Sequence, residues 1–87
     1  MNDYAKELGE VLRTFDVEKL REFIEKYSNI ITKPHRSFYE NDGYMKGMMA
    51  KMIIARTDMP DELKEEAMTV LDVLGWDYGL GEENEIN

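Results

Sequence analysis

Apolar positions recur at helical spacing along most of the chain, and no stretch alternates strongly enough to predict a strand. Tyr4, Leu8, Val11, Leu12 and Phe15 predict a first helix from about Tyr4 to Thr14, capped by Asn2 or Asp3. A second apolar set follows at Val17, Leu20, Phe23, Ile24, Tyr27 and Ile31. At about 100° per residue its mean direction is turned by roughly 120° from the first, so one straight helix would aim the two stripes at different places. The pattern therefore predicts a break near Asp16, a good N-cap, with Phe15 packed on Leu20 as a hydrophobic staple. The second helix runs from Val17 to about Tyr27 or Asn29.

Ser28 to Arg36 reads as an irregular connection. Asn29 suits a left-handed helix end, Pro34 pushes Lys33 to extended geometry, and Ile30 and Ile31 are expected to tuck back onto the core. Two helix starts follow, a capping box at Ser37-Phe-Tyr-Glu40 and a second start at Asn41-Asp42. The reading adopted is a short turn and then a central helix.

From Gly43 to Arg56 the chain is apolar on nearly every side. Met45, Met48, Met49, Met52 and Ile53 fall on one face of a helix, Gly43, Gly47, Ala50 and Ile54 on roughly the opposite one, and only Lys46, Lys51 and Arg56 interrupt. A helix apolar most of the way round must be covered on more than one side, so this element is expected at the centre, with its small residues allowing close approach. It should end around Thr57, because Asp58-Met-Pro60-Asp-Glu places proline and acids where a new helix begins. That helix runs from Pro60 to about Leu74, turns Leu63, Ala67, Val70, Leu71 and Leu74 inward, and stops at Gly75 with Trp76 folding back. The expectation is an all-α, compact four-helix domain over residues 1–80 with a central Met-rich helix, followed by an acidic C-terminal tail at 81–87 that frays.

Composition narrows the functional classes. With 87 residues the chain forms one domain, and with no cysteine it has no disulfide, thiolate zinc site or cysteine nucleophile. No stretch has the apolar length of a signal peptide or a membrane span, which makes a cytoplasmic protein without membrane contact the expectation. The net charge of −8 is uneven: residues 1–31 carry −2, residues 32–57 carry +3 and residues 58–87 carry −9. Direct nucleic-acid binding is disfavoured, since phosphate contacts need clustered Lys and Arg.

The candidates for chemistry are thin. His35, in Lys-Pro-His-Arg, has no Ser, Cys or second His beside it and reads as a surface histidine near a turn. Glu40-Asn-Asp42-Gly43 superficially resembles a calcium loop. Aligning Gly43 with the loop's sixth position, however, puts Phe38 and Met49 where Asp and Glu ligands are required. Gly75, Gly79 and Gly81 precede acids that repel phosphate. No catalytic residue, metal or cofactor is expected.

The leading reading is a non-enzymatic helical protein-interaction module, self-associating as a homodimer or docking on a larger protein partner. Met45, Met48, Met49 and Met52 are its packing or contact residues, and Trp76 and Tyr78 cap the core or anchor a partner. An alternative is a small acidic inhibitor that mimics a nucleic-acid backbone through Asp61, Glu62, Glu65, Glu66, Asp72, Asp77, Glu82, Glu83 and Glu85. A further alternative is an enzyme whose site has no recognisable motif.

Overall fold

The computed structural model describes residues 3–30 and 35–79. The break expected at Asp16 divides α1 (Asp3–Thr14) from α2 (Val17–Lys26), and the Asp16 carboxylate accepts the N–H of Glu18 at 2.9 Å as the N-cap. What ends α1 is less ordinary. Phe15 takes a left-handed backbone with φ 53°, and among the described residues it is the one non-glycine residue to do so. Its N–H donates to the Leu12 carbonyl at 3.0 Å, and its ring is buried. Leu20 lies in the same core, as a staple requires.

Two expectations for the first connection are corrected. Asn29 does not adopt the left-handed region, because α2 already ends at Tyr27, whose N–H returns to Phe23 and Glu25. Ile30 does not tuck in: it is 64% exposed, at the end of a turn closed by its own N–H on the Tyr27 carbonyl. Ile31 and Pro34 lie outside the described residues.

The described residues form five helices where four were expected, the addition being the single turn α3 (Arg36–Tyr39). Its cap is His35, one residue before the helix begins and two before the Ser37 capping box. His35 Nδ1 accepts the N–H of Ser37 at 3.2 Å, and its carbonyl takes the N–H groups of Phe38 and Tyr39. Glu40 pairs with Arg36 at 3.1 Å, leaving the Ser37 box unformed. Asn41 then caps α4 (Asp42–Ala55) by accepting the N–H of Tyr44 at 3.0 Å, so a short turn does precede the central helix.

α4 packs against all four other helices. Met45, Met49, Ala50 and Ile53 are completely buried, against Leu12 of α1, Leu20, Phe23 and Ile24 of α2, and Ala67 and Leu71 of α5 (Asp61–Leu74). Pro60 occupies the N-cap position of α5, and Met59 before it closes the α4–α5 link as a buried side chain. Gly75, at φ 78°, ends α5 in a Schellman motif: its N–H returns to Asp72 and that of Trp76 to Leu71.

Polar side chains fasten the periphery. Arg21 donates to the Tyr39 carbonyl and to the carboxylates of Glu18 and Asp42, tying α2 to the start of α4. At the other end of α4, Arg56 forms a two-point pair with Asp58, and Arg13 donates to the Asp58 carbonyl at 3.2 Å. The Arg56 guanidinium also lies across Gly9, 3.1 Å from where a Cβ would stand, so a larger residue there would have to displace it slightly.

Candidate protein-interaction surface

The methionines of α4 divide by helical phase. Met45 and Met49 point into the core and present nothing to a partner in this conformation, whereas Met48 and Met52 are half-buried at its edge. With Tyr44, Lys51 and the exposed Ala55 they share the outward face of α4. An outward helix face is ordinarily polar; this one has a single charge.

Aromatic rings extend the face at both sides. Phe38 of α3, 47% exposed, stacks on Tyr44 with centroids 4.6 Å apart and planes at 23°, and Tyr44 meets Trp76 edge-on at 5.5 Å. Trp76 reaches this position because Gly47 leaves room for it: a Cβ on Gly47 would stand 2.7 Å from Cη2 and 2.8 Å from Cε3 of the indole. The small-residue side of α4 thus receives a ring as well as a helix. Tyr44, Met48, Lys51, Met52 and Trp76 line an open groove of about 330 Å³.

The charge in this groove is balanced locally. Lys51 Nζ is 3.1 Å from Asp77 Oδ1 and 5.7 Å from the Trp76 ring centroid, and its side chain is only 20% exposed. Asp77 also accepts the N–H of Gly79. Tyr78 donates its hydroxyl to Asp72 at 2.8 Å, and this bond holds the phenol above its usual titration range. Trp76 is therefore half-buried cover over α4, and Tyr78 is an exposed side chain tied back to α5.

The acidic residues are arranged differently. Asp61, Glu62, Glu65 and Glu66 are exposed on α5 and form no ion pair among the described residues, while Asp72 and Asp77 are engaged by Tyr78 and Lys51. Asp61 with Glu65 and Glu62 with Glu66 repel at i,i+4 spacing. Glu82, Glu83 and Glu85, with the rest of the tail at 81–87, lie outside the described residues.

At the α1–α2 elbow the polar side chains are matched within the chain. A hollow of about 600 Å³ at the α1–α2 elbow is lined by Asp16, Glu18, Asp42 and Lys46. Asp16 caps α2, Glu18 and Asp42 hold Arg21, and Lys46 donates to the Phe15 carbonyl at 2.8 Å. No group of three His, Asp or Glu side chains among the described residues is placed to hold a metal, and no described helix is long and apolar enough to cross a membrane.

Sequence reasoning missed Phe38, Tyr44 and Lys51 as members of this surface. The aromatic residues on either side of Asn41-Asp42 were the available signal, but their stacking depends on the helix break between them. No family model matches the chain, and no curated protein or solved structure matches it.

Proposed function

We propose that the protein is a helical protein-interaction module built on its Met-rich central helix, and that the outward face of α4 is its contact surface. The observation that carries this reading is the phase of α4. Its inner side fills the core with Met45, Met49, Ala50 and Ile53, and Tyr44, Met48 and Met52, half-buried at the core's edge, carry the apolar character on to the side that faces solvent. Flexible methionine beside rigid aromatic rings suits a contact surface, because thioethers adapt to an incoming shape while Tyr and Trp supply area at little entropic cost.

A second reading has one observation in its favour. The unpaired Asp61, Glu62, Glu65 and Glu66 give α5 an acidic face that would suit a basic groove of the kind that holds a nucleic-acid backbone.

The two readings separate in a capture experiment with immobilised wild type, Met48→Lys and the double variant Glu65→Lys/Glu66→Lys. The contact-face reading expects a partner retained by wild type and by the double variant, but lost by Met48→Lys. Retention that follows the glutamates, and ignores Met48, would transfer the function to α5. If Met48→Lys changes neither capture nor solution mass, the α4 face is not a contact surface.

A further inference from the structure

We infer that Met48 and Met52 form a paired oxidation site, at which a peroxide converts the apolar outward face of α4 into a polar one without unfolding the domain. For what that change controls, the inference rests on the reading of α4 as a contact surface. The chain has seven methionines and no cysteine, so its sulfur chemistry is that of thioethers. Burial sorts them. Met45 and Met49 are completely enclosed and Met59 is 6% exposed, whereas Met48 and Met52 line the open groove beside Tyr44, Lys51 and Trp76. Met68 of α5 is half-buried as well, but it is not among the residues lining this groove.

The step needs no reactant beyond hydrogen peroxide. A thioether sulfur attacks one peroxide oxygen and the O–O bond breaks. The transferred oxygen gives up its proton to the departing hydroxide, leaving a sulfoxide and water; the sulfur is oxidised by two electrons and the peroxide is reduced. A flexible apolar side chain thereby becomes a polar one that accepts hydrogen bonds. Residues four apart stand one above the other on a helix, so the two sulfoxides alter one continuous patch, on a face whose single charge is Lys51. Trp76, laid over Gly47, lines the same groove and reports the change. Met45 and Met49 stay reduced inside the core, so the face can change while the fold is kept.

The test treats the full chain with dilute hydrogen peroxide and follows each methionine by peptide mass spectrometry, with circular dichroism for the fold and Trp76 emission for the groove. Met48 and Met52 should be oxidised at least about tenfold faster than Met45, Met49 and Met59, which react only through opened states of the domain. The helical signal should hold while the emission shifts to the red, and methionine sulfoxide reductases should reverse the shift. The double variant Met48→Leu/Met52→Leu keeps the volume of the face and retains Met68, so its emission should not move under peroxide. Equal rates at the groove and core positions overturn the inference. So does an emission shift that persists in the double leucine variant, or loss of the helical signal once Met48 and Met52 carry oxygen. A partner captured by wild type should be lost on oxidation and kept by the peroxide-treated leucine variant. If Met48→Lys loses that partner but the doubly oxidised wild type keeps it, the contact face stands and its control by oxidation falls. If Met48→Lys loses nothing, the contact face falls, and the oxidation rates and the Trp76 emission still decide the paired site.

Discussion

α1 and α5 end by the same backbone device with opposite chemistry. Both helices end by turning through the left-handed region, α1 at Phe15 with φ 53° and α5 at Gly75 with φ 78°. Gly75 meets this geometry without a Cβ penalty, and nothing stands within 4 Å of where a Cβ would be. Phe15 meets it against the preference of every L-residue, at a cost of about 1–2 kcal/mol. Its ring is buried, and Lys46 of α4 holds it twice, by a hydrogen bond to its carbonyl and by a cation 4.3 Å from its ring centroid. The neighbouring Gly47 receives Trp76 from the other end. One stop is imposed by the core, the other by the local sequence, and α4 fastens both.

The largest effect is therefore expected at Phe15. Phe15→Ala removes a buried ring and keeps the strain, and should lower unfolding free energy in urea by about 3–5 kcal/mol. Phe15→Gly removes both and should be less damaging than the alanine variant by about 1 kcal/mol. At Gly75 the order reverses: Gly75→Ala gains no contact, acquires the strain and should cost about 1 kcal/mol. Equal losses for the two Phe15 variants would show that the left-handed backbone carries no cost there.

This contrast also marks how far the sequence could be read. Gly75 and Asp16 act through their own backbone and side-chain chemistry, so a glycine after an apolar stripe and an aspartate before a rotated one were sufficient signals. The left-handed residue of the first half was expected at Asn29, a good local candidate, but it falls at Phe15, where only the ring's place in the assembled core explains it. His35 replaced Ser37 as cap of α3 for a similar reason, since either side chain fits the local pattern and the difference of register is set by the whole turn. For the surface, the apolar character of α4 was plain in the sequence. Its division into buried Met45 and Met49 and outward Met48 and Met52 required knowing where α1, α2 and α5 lie.

A smaller effect is expected at Gly47, where the α5 end is fastened. Gly47→Ala gains about 1 kcal/mol of helix propensity, but the new methyl group overlaps the indole, and overpacking costs about 1–3 kcal/mol. The net loss should be about 1 kcal/mol, accompanied by a red shift in emission from Trp76, the chain's single tryptophan, as the ring lifts off α4. Trp76→Ala with Gly47→Ala should cost less than the two singles summed, because the clash disappears with the ring. An unshifted emission maximum in Gly47→Ala would mean that α4, and not the indole, gives way.

The smallest effects lie at opposite ends of the pH scale, one for each stop. At the α1 end Asp58 accepts from Arg56, which holds its carboxyl below the usual range, with Arg13 of α1 adding to the same charge. A depressed folded pKa gives stability that is present above the unfolded value, about 3.9, and is lost as pH falls through the folded one. At the α5 end the bond from Tyr78 to Asp72 raises the phenol, so its contribution is present below the unfolded value, about 10, and is lost as pH rises through the folded one. Both groups are exposed, and the effects are read as differences between variants. Asp58→Asn should flatten the dependence of stability on acid while leaving the alkaline side unchanged, and Tyr78→Phe should do the reverse. Amide exchange in α1 should quicken first on acidification and in the last turn of α5 first at high pH, because each titration releases one fastening while the other holds.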